Sequence, residues 1–122
     1  MMSEKKSVLI INQKSPYGDA AARESLDIAL TCSIFEMPVT LLFCGDAIFQ
    51  LLKDQQPGKI QQKKIEAMLS ALPMYDITEI YVEHDSLIQN GLTDEDLCLP
   101  VTLIDQSSIS QLINLHDTVL TF

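Results

Sequence analysis

Short unbroken apolar runs alternate along this chain with stretches of helical periodicity, and that alternation constrains the fold more than any other feature. Val8-Leu9-Ile10-Ile11 is continuous and rich in β-branched residues, the pattern of a strand buried on both faces. Val39-Thr40-Leu41-Leu42-Phe43-Cys44, Ile80-Tyr81-Val82, Val101-Thr102-Leu103-Ile104 and Thr118-Val119-Leu120-Thr121-Phe122 supply the other strands. A helix capped by Asp19 and running through Phe35 puts Ala22, Leu26, Ala29, Leu30 and Ile34 on one stripe, with Arg23, Glu24 and Asp27 facing away. Met37-Pro38 ends it, because proline disfavours the α region in the residue before it. Gly45-Asp46 turns the chain into a short helix from Ala47 to Leu52, and residues 54–58 read as a surface loop. Lys59 to Leu72 is helical through Ile65, Met68, Leu69 and Leu72, until Pro73 stops it. A short helix from Asp85 to Asn90 closes on Gly91, and Ser107 or Ser108 caps a last helix carrying Ile109, Leu112 and Ile113. The expected fold is one α/β domain over residues 1–122 with residues 1–6 frayed: three layers, a mostly parallel five-stranded sheet, and helices on both faces, flavodoxin-like in class.

Size and charge narrow the function classes. A chain of 122 residues buries about two-thirds of its unfolded surface and needs no metal or disulfide staple. Seventeen acidic residues against eight basic ones give a net charge of −9. Nucleic-acid binding rests on Lys and Arg neutralising phosphates, so direct contact with DNA or RNA is not expected. Lys59, Lys63 and Lys64 read as the solvated face of a helix. No stretch approaches a membrane span. Three irregularly spaced cysteines argue for a reducing compartment, and the expected location is the cytoplasm.

Ligands of open α/β sheets gather beyond the carboxyl ends of the strands. That rule selects the loop from Asn12 to Asp19, Cys44-Gly45-Asp46, Glu83-His84-Asp85 and Asp105-Gln106-Ser107. The first loop has one glycine where a dinucleotide fingerprint needs three, and it lacks the Gly-Lys-Ser/Thr of a P-loop, so a plain connection or partner contact outweighs a phosphate cradle. Cys44 becomes a nucleophile only where a helix end or cation lowers its pKa, and Asp46 lies near instead. Cys32 reads as core filler, and Cys98, before Leu99-Pro100, as a half-buried loop thiol and the second reactive candidate. Glu83-His84-Asp85 is the densest group of ligand-type side chains, but adjacent residues in an extended segment point apart and His116 is the only other histidine. No metal site and no cofactor is expected.

Ser15-Pro16-Tyr17-Gly18-Asp19 with its following helix, Gly45-Asp46-Ala47-Ile48-Phe49-Gln50-Leu51-Leu52, Leu72-Pro73-Met74-Tyr75-Asp76-Ile77 and Ser86-Leu87-Ile88-Gln89-Asn90-Gly91-Leu92 occur in an order that resembles the TusC/DsrF branch of the DsrE-like family of sulfur-relay proteins. The resemblance implies a subunit of a hetero-oligomer with TusB-like and TusD-like chains. That assembly passes persulfide sulfur, through a TusE-like carrier, toward 2-thiouridine at the wobble position of certain tRNAs. It also implies an acceptor cysteine just after the third strand. In this chain Glu83 stands there, and a carboxylate cannot carry a persulfide. The expectation is therefore a non-catalytic structural subunit with no catalytic residue of its own. Its subunit contacts are sought in the first loop and the Gln-rich crossover from Lys53 to Gln62. Two alternatives stand beside it: a sulfurtransferase carrying persulfide on Cys44 or Cys98, and a flavodoxin-like small-molecule binding module.

Overall fold

The computed structural model describes residues 6–14, 21–52 and 60–122, and only the backbone of residues 60–64. Asp19, most of the first loop, and most of the crossover that begins at Lys53 lie outside the described residues. Five strands, β1 (Val8–Asn12), β2 (Val39–Phe43), β3 (Glu79–Glu83), β4 (Thr102–Ile104) and β5 (Thr118–Thr121), form a sheet of order β4-β3-β2-β1-β5. Every pairing is parallel, so the sheet is wholly rather than mostly parallel.

The strand order explains where the helices lie. From β1 to β4 the chain steps in one direction, through α1 (Ala21–Ile34), α2 (Ile60–Ala71) and α3 (His84–Gln89). Right-handed crossovers place those three helices on one face. Ala22, Leu26 and Ala29 of α1, Ile65 and Leu69 of α2 and Leu87 of α3 accordingly pack on Val8, Ile10, Leu41, Phe43, Ile80 and Val82. The return from β4 to β5 runs the other way and carries α4 (Gln106–Asn114) across the opposite face, where Leu112 meets Leu9, Ile11 and Leu42. The central strands β1 and β2 are buried along their whole length, which is why they read as unbroken apolar runs. Each fully buried Val, Leu, Ile or Phe side chain there stabilises the fold by about 1.5–3 kcal/mol.

Several expectations need correction. Ile34, placed on the buried stripe of α1, is 65% exposed. A helix of 14 residues is about 21 Å long and a five-residue strand about 16 Å, so α1 overhangs the sheet by about one turn. The cap of α4 is Asp105, whose Oδ1 accepts the Ser108 amide at 2.9 Å; Ser107 and Ser108 sit inside the helix. Helix α3 starts at His84, so His84 and Asp85 are helical rather than extended. Pro73 ends α2 but not the turn, since Leu72–Tyr75 continues as a 3-10 helix in which proline takes an early position that needs no amide. The short helix after β2 is also 3-10, over Gly45–Leu51.

Candidate functional site

The parallel register brings the strand ends into one row. Asn12 pairs with Phe43, Phe43 with Val82, and Glu83 with Ile104. The chain leaves these strands through Cys44, Glu83 and Asp105, so the sequence candidates converge on the carboxyl edge of the sheet. Beside Cys44 and Glu83 lies a polar network. Asn12, a strand residue rather than the start of a loop, is buried and donates through Nδ2 to the Leu42 carbonyl at 3.3 Å. Its Oδ1 accepts the hydroxyl of Ser25 on α1. The buried Ser86 hydroxyl donates to the Glu83 carboxylate and accepts the Gly45 amide at 2.9 Å. Gly45 has φ +57°, and this left-handed backbone, rather than lack of space, is what calls for glycine.

Cys44 sits at the centre of this row. Its amide donates to the Asn12 carbonyl at 3.0 Å, and its Sγ lies 3.6 Å from the same oxygen. Half-burial pushes the thiol pKa up, and the Glu83 carboxylate raises it further. The acid that acts on Cys44 is therefore Glu83 from the neighbouring strand, not Asp46 beside it in sequence. Both causes favour the neutral thiol, the weak nucleophile and weak sulfur acceptor of the two forms.

The remaining candidates do not join this row. Cys98 is exposed rather than half-buried, and its amide donates to the Leu51 carbonyl at 2.7 Å. Cys32 is half-buried against the larger core. His84 and Asp85 face outward on the first turn of α3, and among the described residues no group of three or more His, Cys, Asp or Glu side chains could hold a metal ion. His116 lies at the other end of the molecule, where its Nδ1 donates to the Leu112 carbonyl and its Nε2 meets the Thr40 hydroxyl at 2.9 Å. The carboxylate of Asp105 is held below its usual pKa by hydrogen bonds from Ser107 and then Ser108, the signature of a helix cap.

Sequence reading placed Asn12 in a loop rather than in β1, and missed Ser25 and Ser86. A serine among Ala22, Leu26 and Ala29 on the stripe of α1 was the available signal, because a polar residue on a buried stripe needs a buried partner.

An all-parallel sheet of order β4-β3-β2-β1-β5, with a polar cluster beyond β2 and β3, defines a small α/β scaffold whose strand ends form the candidate site. Residues 6–122 match the model of the DsrE/DsrF-like family, and the chain belongs to that family. A protein of Pseudomonas aeruginosa called Protein TusC homolog is 42% identical over 116 residues, covering 95% of this chain and 98% of that one. The Intracellular sulfur oxidation protein DsrF of Allochromatium vinosum is 32% identical across 96% of each chain. The crystal structure of the ychN protein from E. coli has the same fold, with a TM-score of 0.82, 24% identity, and coverage of 96% of this chain and 99% of that one.

Proposed function

We propose that this chain is a non-catalytic structural subunit of a cytosolic sulfur-relay complex of the TusBCD kind, supporting persulfide transfer toward tRNA 2-thiouridine. Its partners are TusB-like and TusD-like subunits, with a TusE-like carrier reached indirectly. The likeness to proteins named TusC homolog and DsrF supports the sulfur-relay part of this reading. The observation that carries the non-catalytic part is the Glu83 carboxylate at the end of β3, hydrogen-bonded to Ser86 and raising the pKa of Cys44, the nearby thiol. An anion there repels an incoming persulfide as well as suppressing the thiolate that would attack one. Mixing the purified chain with TusB-like and TusD-like chains and weighing the product by native mass spectrometry tests the reading. A chain that stays apart while the other two assemble ends it.

The exposure of Cys98 favours a second reading, in which the chain itself carries persulfide. Treatment with a persulfide donor followed by mass mapping separates the two. A persulfide on Cys98 or Cys44, with relay lost in Cys98→Ser or Cys44→Ser, replaces the structural role with a catalytic one.

A further inference from the structure

The amino end of the sheet carries a surface that the strand-end chemistry does not use. Two helix-to-strand turns lie side by side there and are built alike. In the first, the Glu36 amide donates to the Ser33 carbonyl at 2.8 Å and the Met37 amide to the Cys32 carbonyl at 3.1 Å. In the second, the Asp76 amide donates to the Pro73 carbonyl and the Ile77 amide to the Leu72 carbonyl, both at 3.1 Å. Each turn needs a left-handed residue at its centre, a position that glycine usually fills. Here they are Glu36 at φ +63° and Asp76 at φ +61°. The Ser33 hydroxyl donates to the Tyr75 carbonyl and ties one turn to the other. Between them lies a cavity of about 340 Å³ lined by residues of both, Glu36 and Asp76 included.

Three properties define what fits this cavity. It is negative: among the described residues neither carboxylate has a hydrogen-bond or ion-pair partner, and both stand at helix C-termini, where the backbone adds further negative potential. Its chain neighbours are apolar and open to solvent, with Ile34 65%, Phe35 66% and Met74 85% exposed. It also stands at the opposite end of the sheet from Cys44 and Glu83, so a chain bound there leaves the strand-end row uncovered. We infer that this end of the sheet is a docking surface for a different protein chain, one that presents an arginine or lysine within an apolar patch. The basic group enters the cavity between Glu36 and Asp76, and the apolar residues around it cover Ile34, Phe35 and Met74. Arginine is enriched among interface anchors, and the apolar contacts around such an anchor exclude water from it. A second copy of this chain fits poorly, because a two-fold contact would bring four carboxylates together between molecules that each carry −9.

The inference rests on the proposed membership of a hetero-oligomer and supplies the surface and chemistry of one contact within it. The test compares affinities for the TusB-like and TusD-like chains, by titration calorimetry, of the wild type and of Glu36→Gln, Asp76→Asn and Met74→Ala. Ile88→Ala, an exposed site on α3, is the control. Each of the three variants is expected to bind about tenfold more weakly, with Ile88→Ala unchanged and with less salt sensitivity in the two charge variants. A complex that forms equally well with all variants overturns the docking surface and leaves the subunit reading standing. No complex with the wild type removes both. Self-association of the wild type that Met74→Ala abolishes makes the occupant a second copy and overturns the partner chemistry.

Discussion

At the carboxyl end of the sheet Asn12 and Ser25, and Ser86, Gly45 and Glu83, bond to one another, whereas at the amino end the Glu36 and Asp76 carboxylates have no partner among the described residues. The carboxyl end holds the residues a chemist would inspect first, and most of them are hydrogen-bonded to one another. The Ser25 and Ser86 hydroxyls and the Asn12 carboxamide are committed to internal hydrogen bonds, and burial together with Glu83 raises the pKa of the Cys44 thiol. The amino end keeps two residues in left-handed backbone and three large apolar side chains in water. Both arrangements differ from what stability alone favours at the amino end and from what reactivity alone favours at the carboxyl end. Order at one end and open surface at the other suit a subunit whose contribution is contact rather than catalysis.

The largest effect that would test this contrast is on stability. Phe43→Ala empties a fully buried site at the end of β2 and should cost about 3–5 kcal/mol in urea unfolding. Asn12→Ala strands the Ser25 hydroxyl and should cost about 1–3 kcal/mol. Adding Ser25→Ala should recover part of that loss, since the two residues share one network. At the amino end the sign reverses. Glu36→Gly relieves a left-handed glutamate and should stabilise the chain by about 0.5–1 kcal/mol, while weakening partner binding. A Glu36→Gly chain that binds as well as wild type breaks the contrast.

Cys44 gives a pH test. Its pKa is raised in the folded state, so the folded chain holds this proton more tightly than the unfolded chain does. The resulting stability is fully present below the ordinary thiol pKa of about 8.5 and is lost as pH rises through the folded value. Urea midpoints should therefore fall less between pH 8 and pH 10 in Cys44→Ala than in wild type. Alkylation at pH 8 should mark Cys98 before Cys44, and Glu83→Gln should speed the reaction at Cys44 a few-fold. The smallest effect is Met74→Ala, expected to move stability by less than about 0.5 kcal/mol, because its side chain is in water.

Strands and helices were legible because buried parallel strands must be continuously apolar and covering helices must be striped. Val8–Asn12 and Val39–Phe43 carry that signal in nearly every position. The edges were less legible. Thr102–Ile104 and Thr118–Thr121 are mostly exposed, and their assignment rested on composition and spacing. The strand-end row could be placed from topology, but its hydrogen bonds could not. The bonds from Ser25 to Asn12 and from Gly45 to Ser86 join residues 13 and 41 positions apart, and no local pattern encodes them. The amino-end surface was hidden for a different reason. Ile34 extends the apolar stripe of α1, and only the length of that helix relative to the sheet shows that the stripe outruns its cover.

The return of the chain from β4 to β5 has a consequence for how the molecule is assembled in time. Strand β1 is a central strand only because Thr118–Thr121 lies along its outer side, and Val8 pairs with Thr118 across 110 positions of sequence. Loops of that span close late and lower the folding rate. Until they close, Val8-Leu9-Ile10-Ile11 presents a bare apolar edge, the kind of segment that recruits strands from other molecules. During synthesis that exposure lasts until the ribosome has released residue 121. The yield of folded chain should therefore depend on chaperone supply during translation more than on the stability of the finished sheet.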